Sequence, residues 1–203
     1  EDNARGANPY HGAGGPLSVM DQHWPQAGSL AFIEAAAELQ LPRNSDFNGA
    51  SQDGFGLYQV TQKGGERWTA ARAYVEPARD RMEIVTGALT EKILVENGRV
   101  TGVVIAQGWG RKRTIRARGA VVLSAGAFGS PQILQLSGIG SAAALNALGI
   151  APHVDLPGVG ENLQDHLQLR MIYKVRGAPT LNMRAGNWFG KMKIGLEYAL
   201  FQS

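Results

Sequence analysis

The sequence predicts a mixed α/β fold: a layered α/β domain that carries a small β-hairpin sheet. Three observations point there. Asn97-Gly98 stands between the β-branched runs "KILVE" and "RVTGVVIA", a strong two-residue hairpin signal. "AVVLSAG" (120–126) is too continuously apolar for a strand with one wet face, so it belongs inside a layered sheet. "LAFIEAAAELQL" repeats apolar residues at Leu30, Ile33, Ala37 and Leu41, a helical spacing.

Taken in order, residues 1–18 are rich in Gly, Asn and Pro and read as irregular loop. Ser29 can cap the first helix and Pro42 closes it. "DFNGASQDGFGLYQVTQKGG" (46–65) is loop leading into a short strand around Leu57 to Gln62. Thr69 caps a second helix, "AARAYVEPARD", interrupted at Pro77. "MEIVT" (82–86) and the hairpin come next as strands, then "RKRTIRAR" (111–118) as an exposed edge strand that charge protects from pairing. This three-stranded excursion between strands 84–86 and 121–125 departs from a plain doubly wound order. Ser130-Pro131 reads as the start of a short helix to Ser137, Ser141 caps another with Gly149 past its end, and "DLPGVGENLQDH" (155–166) is loop. "WFGKMKIGLEYALFQS" reads as an amphipathic helix that stops before its end. With no initiator Met at the start either, the chain is expected to be an interior piece of a longer protein.

Composition narrows the function. A chain of 203 residues, 44% hydrophobic and 18% charged, holds enough apolar mass for a core. Its net charge of +3 does not point to nucleic acid. Without cysteine there is no disulfide framework, zinc-thiolate site or thiol nucleophile, so any redox chemistry must come from a bound cofactor. No apolar run reaches the roughly 18 residues of a membrane span. There is no G-x-S-x-G elbow and no H-E-x-x-H, and His11, His23, His153 and His166 are scattered without metal-ligand spacing.

Ser124, Ala125, Gly126 and Ala127 leave the end of the expected strand bare, ahead of a helix start. Such a turn either lets a flat or phosphorylated ligand lie on the backbone or permits close packing of helix on strand. Downstream, "GIGSAA" (138–143) fits a dinucleotide fingerprint, with Asp155 after the short strand "APHV" as a ribose acceptor. Three features oppose that reading: "QILQLS" begins with a helix cap, the helix after it is short, and Asp155 comes early against the usual ~20-residue spacing.

Taken together, "GAFGSPQILQLSGIG" (126–140), "YHGAGGPLSV", "DFNGASQDGFGLYQVTQ", "AARAYVEPARDR", "VTGALTEKI" and "DLPGVGENLQDH" resemble, in order, segments of the glucose-methanol-choline (GMC) flavoprotein oxidoreductases, choline-dehydrogenase-like and alcohol-dehydrogenase-like members above all. The resemblance implies FAD as cofactor and oxidation of an alcohol to an aldehyde by hydride transfer to the flavin. It implies that the Thr90 backbone contacts the adenine and that Ser124, Ala125 and Gly126 line the adenosine and phosphate region. It implies part of a mixed-sheet substrate domain beside the FAD-binding one, with residues 1–61 in the lid and substrate domain, 62–166 in the FAD-binding domain, and 167–203 at the start of a second substrate segment. The family's N-terminal G-x-G-x-x-G unit and the C-terminal segment with its active-site His are not in this sequence, so no catalytic residue carries over. His166 would approach the active site, and Gln168 stands where choline-type members have Glu. Partners implied are a small-molecule alcohol and an unknown electron acceptor, in the cytoplasm or on the inner-membrane surface. The alternative readings are a choline dehydrogenase proper and a nucleotide-binding module without catalysis.

Overall fold

The computed structural model describes residues 1–177 and 180–201, which group into two compact units, Glu1–Glu83 with Met171–Ser203 and Ile84–Arg170. Gln202 and Ser203, the end of the expected C-terminal helix, lie outside the described residues.

In the first unit the loop-rich start is tied down by two-residue strands. β1 (Asp2–Asn3) pairs in parallel with β2 (Ser18–Val19), and Met20 bridges Val60. The helix α1 (Ala27–Glu38) begins two residues before Ser29, with Gln26 at its N-cap and no side-chain cap. Gln40 at φ 60° and Pro42 end it. The strand expected around Leu57 to Gln62 shrinks to β3 (Gln62–Lys63). β3 pairs with β4 (Glu66–Arg67) across the Gly64-Gly65 turn, because only the two glycines there reverse the chain tightly. Thr69 does cap the next helix, its hydroxyl accepting from the Arg72 N–H at 3.3 Å. That helix is a π-helical turn (Ala71–Val75) running into a 3₁₀ segment (Glu76–Arg81) with Pro77 in its first turn. Proline removes a donor there, and the ladder shifts register around it.

The second unit is built on the hairpin. β5 (Ala88–Glu96) and β6 (Arg99–Gln107) turn at Asn97 (φ 51°) and Gly98 (φ 74°), a type I′ geometry. β7 (Arg111–Arg116) adds the basic outer edge to give the order β5-β6-β7. Ile93 and Ile105 share a face of this sheet, which α2 (Gly126–Leu136) covers with Ile133; all three are buried. Beyond α2, β8 (Ile139–Gly140) pairs in parallel with β9 (Val154–Asp155) across α3 (Ala142–Ala147). Ser141 caps α3, and the Gly149 and Ile150 N–H groups bond back to Asn146 and Leu145 in a Schellman ending.

Two expected strands do not form. "MEIVT" and Val121–Ser124 form no β-strand in the described structure, and Val122 is 85% exposed. An apolar run becomes a strand only when a neighbour supplies the ladder. The hairpin sheet is therefore layered on α2 instead of on a sheet containing Val121. α2 also starts five residues before Pro131. Pro131 lies inside it as the sixth residue, at the cost of the one helical bond to the exposed Ala127 carbonyl. The Ser130 hydroxyl is drawn back to accept the Ala125 N–H at 3.0 Å. In the first unit, α4 (Leu181–Arg184) and α5 (Trp188–Phe201) are joined by the Arg184–Glu197 pair at 2.5 Å, and the Tyr198 hydroxyl donates to the Gly65 carbonyl at 3.2 Å.

Among the described residues no helix is long and apolar enough to cross a membrane.

Candidate cofactor-binding edge

The candidate site lies around α2, in the second unit. Gly126 opens this helix at φ 82°, a left-handed conformation that suits glycine, and a Cβ built on it would meet nothing within 4 Å. Ser124, Ala125 and Gly126 are all exposed, so their main chain is open to a ligand. The first N–H groups of an eleven-residue helix have no acceptor inside it, and they face the same end.

Two grooves run along α2 and meet at Gln132. One, about 430 Å³, is bordered by Leu89, Thr90, Lys92, Lys112 and Leu136. Here the register of β5 slips between Thr90 and Lys92, and Glu91, at the slip, reaches Lys112 across the sheet at 3.0 Å. The bulge interrupts the regular ladder beside Thr90. The other groove, about 550 Å³, lies between Ala127, Phe128 and Pro131 and the loop Val159–Gln164. Gln135 fixes that loop by donating to the Val159 carbonyl at 3.1 Å, and Asn162, at φ 54°, accepts from the Gln164 side chain at 3.1 Å.

Thr90 thus borders the first groove, while Ser124–Gly126 sit at the head of the helix without lining either one. His166 and Gln168 lie on an exposed run without regular secondary structure; the His166 N–H donates to the Asp165 carboxylate at 2.8 Å. The loop Val159–Gln164 forms a groove wall where the sequence suggests only a turn, and its signal is the Gly-Val-Gly run with Asn162 after it. The dinucleotide fingerprint fails on geometry. Asp155 is spent on the Ala142 N–H at 2.9 Å, filling the helix N-terminus that a pyrophosphate would need. Gly138 is glycine because a Cβ there would lie 2.5 Å from the Ala151 carbonyl oxygen.

The GMC oxidoreductase family profile matches residues 5–168. The chain is 45% identical over 202 residues to the oxygen-dependent choline dehydrogenase of Serratia proteamaculans (strain 568), covering 95% of this chain and 36% of that protein. It is 40% identical to the enzyme of the same name from Sinorhizobium fredii (strain NBRC 101917 / NGR234), covering 98% of this chain and 36% of that one. The chain therefore spans about a third of the length of these relatives. Its fold is similar to that of an FAD-dependent oxidoreductase from Chaetomium thermophilum, with a TM-score of 0.81 at 28% identity over 93% of this chain and 34% of that one. Pyridoxine 4-oxidase from Mesorbium loti gives 0.69 at 32% identity over 77% of this chain and 31% of that one. A profile match running from the first loop through α2 to the "QDH" segment spans most of the chain, and by it the chain belongs to the GMC oxidoreductases, a family whose cofactor is FAD.

Proposed function

We propose that the chain supplies one edge of the FAD site and part of the substrate domain of an enzyme that oxidises an alcohol to an aldehyde. Bound FAD supplies the hydride acceptor. The observation that supports this most is the exposed Ser124–Gly126 turn, where a ligand can reach the main chain because Gly126 has no side chain and space around it. Ser124, Ala125 and Gly126 take the adenosine and phosphate region, and the Thr90 backbone beside its bulge takes the adenine. Residues 62–166 then belong to the FAD-binding domain, 1–61 to the lid and substrate domain, and 167–203 to a further substrate segment.

For the substrate, the reading rests on Gln168. A carboxylate about 4 Å from a quaternary ammonium gains on the order of several kcal/mol at an effective dielectric near 20, and a neutral amide does not. An uncharged aliphatic or aromatic primary alcohol fits that position. Identity of 45% to a choline dehydrogenase favours choline as the second reading. Anaerobic bleaching of the flavin in the full-length protein, with choline and with neutral alcohols of similar size, tests both. Bleaching by neutral alcohols at lower concentration than choline is expected, and bleaching by no alcohol would overturn the reaction class.

A further inference from the structure

His11 is the one buried histidine of four, 6% exposed, and both of its ring nitrogens face carboxylates. Nδ1 lies 2.9 Å from Glu1 Oε1 and Nε2 lies 2.8 Å from Asp46 Oδ2. A neutral imidazole has a single N–H, so two carboxylate acceptors are satisfied together only by the imidazolium. In the sequence the histidines are scattered, and nothing local pairs residues 35 positions apart.

Each carboxylate also holds local backbone. Glu1 Oε1 accepts the Gly12 N–H at 3.0 Å, Asp46 Oδ1 accepts the Asn48 N–H at 3.1 Å, and the Asp46 N–H donates to Asn44 Oδ1 at 2.7 Å. Asn44 in turn binds the Ser51 and Asp53 carbonyls at 2.8 and 3.1 Å, and its N–H donates to the Phe55 carbonyl at 3.0 Å. Phe55 packs on Phe32 of α1, with ring centroids 5.9 Å apart. There is little slack: a Cβ at Gly15 would lie 2.5 Å from the Glu1 carbonyl oxygen, and one at Gly49 2.9 Å from Asp46 Oδ2. The other charges nearby are Arg5, paired with Asp21 at 2.6 Å and acting on Asp46, and Asp2, which accepts the Gly14 N–H.

We propose that Glu1, His11 and Asp46 form a proton-dependent latch, in which the imidazolium bridges loop 1–17 to loop 44–55 and its deprotonation on the alkaline side releases them. The hydrogen bond to Asp46, then that to Glu1, raises His11 above its ordinary value of 6.5. A raised histidine stabilises the closed state fully below that ordinary value, and the contribution is lost as pH rises through the value in the closed protein. Once the proton leaves, a nitrogen lone pair faces a carboxylate oxygen, and the contact that held becomes repulsive. Release of loop 44–55 then frees Phe55 from α1.

Imidazole ¹⁵N shifts of the full-length protein, tracked on the alkaline side of neutrality, test the latch, with His11 assigned by its loss in His11→Gln. Amide exchange of segments 8–17 and 44–55, corrected for the intrinsic pH effect, is read alongside. The expected result is an imidazole protonated on both nitrogens near neutral pH, titrating above 6.5, with corrected exchange of both segments rising through the same transition. Asp46→Asn should lower the titration and abolish the rise. If His11→Gln fails to fold, the resonance displaced in Asp46→Asn identifies His11. A neutral His11 near pH 7, a titration at or below the ordinary value, or exchange unchanged through the transition would overturn the proposal.

Discussion

The Ile93 N–H donates to the Ser137 hydroxyl at 2.8 Å, and that hydroxyl donates to the Ile133 carbonyl at 2.5 Å. One buried hydroxyl thus joins the middle of β5 to the last turn of α2. Ser137→Ala leaves the Ile93 N–H unpaired beside the core, a loss of about 1–3 kcal/mol. Thermal unfolding should show the midpoint falling by about 2–4 °C per kcal/mol, and an unchanged midpoint would mean that water replaces the hydroxyl.

Asp155 acts as a cap on α3 and not as a ribose ligand. Asp155→Ala should lose about 0.5–2 kcal/mol, and Asp155→Asn, which keeps an acceptor oxygen, much less. Neither variant should create or abolish activity with a nicotinamide cofactor. Denaturant melts of the two variants, with an assay for nicotinamide turnover, check this.

Gly126 and Gly149 offer a matched pair. Both have positive φ, 82° and 72°, and a Cβ on either meets nothing within 4 Å, so alanine imposes similar backbone strain of about 1–2 kcal/mol at both. Only Gly126→Ala should lower the flavin content of the full-length protein. Equal flavin-to-protein absorbance ratios in the two variants would remove Gly126 from the cofactor site.

Gln168→Glu should raise kcat/KM for choline relative to a neutral alcohol of similar size. If Gln168 faces away from the pocket, the ratio stays where it is. Steady-state kinetics of the full-length enzyme read the difference directly.

The acid side of the Glu1–His11–Asp46 cluster behaves oppositely to its alkaline side. The hydrogen bond from His11 holds both carboxyls below their ordinary values of 4.5 for Glu1 and 3.8 for Asp46. Their contribution is complete above those values and is lost as pH falls through the lowered ones. Unfolding midpoints should therefore drop more steeply in acid for the native protein than for Asp46→Asn; parallel curves would count against the ion pairs.

The hairpin at Asn97-Gly98 and the Ser141-to-Gly149 helix were legible in the sequence because turn and cap chemistry is local. The start of α2 was not. Ser130-Pro131 has the signature of a helix beginning, yet a proline six residues in is tolerated when the carbonyl it deprives is exposed. Val121–Ser124 has strand composition without a strand, since propensity does not supply a partner. In the candidate site, the bare turn at Ser124–Gly126 could be read directly, whereas the second groove depends on Gln135 holding Val159, 24 positions away.

The open run Val121–Ser124 bears on how the polypeptide is made. Among the described residues its N–H and C=O groups have no ladder, and an unpaired run of strand composition can pair with any strand that reaches it. During synthesis a strand of the same polypeptide competes for it with the same run of a second copy. Closure within one chain does not depend on concentration, but capture by another copy does, so crowded expression favours aggregates and slow, cool synthesis favours the native fold.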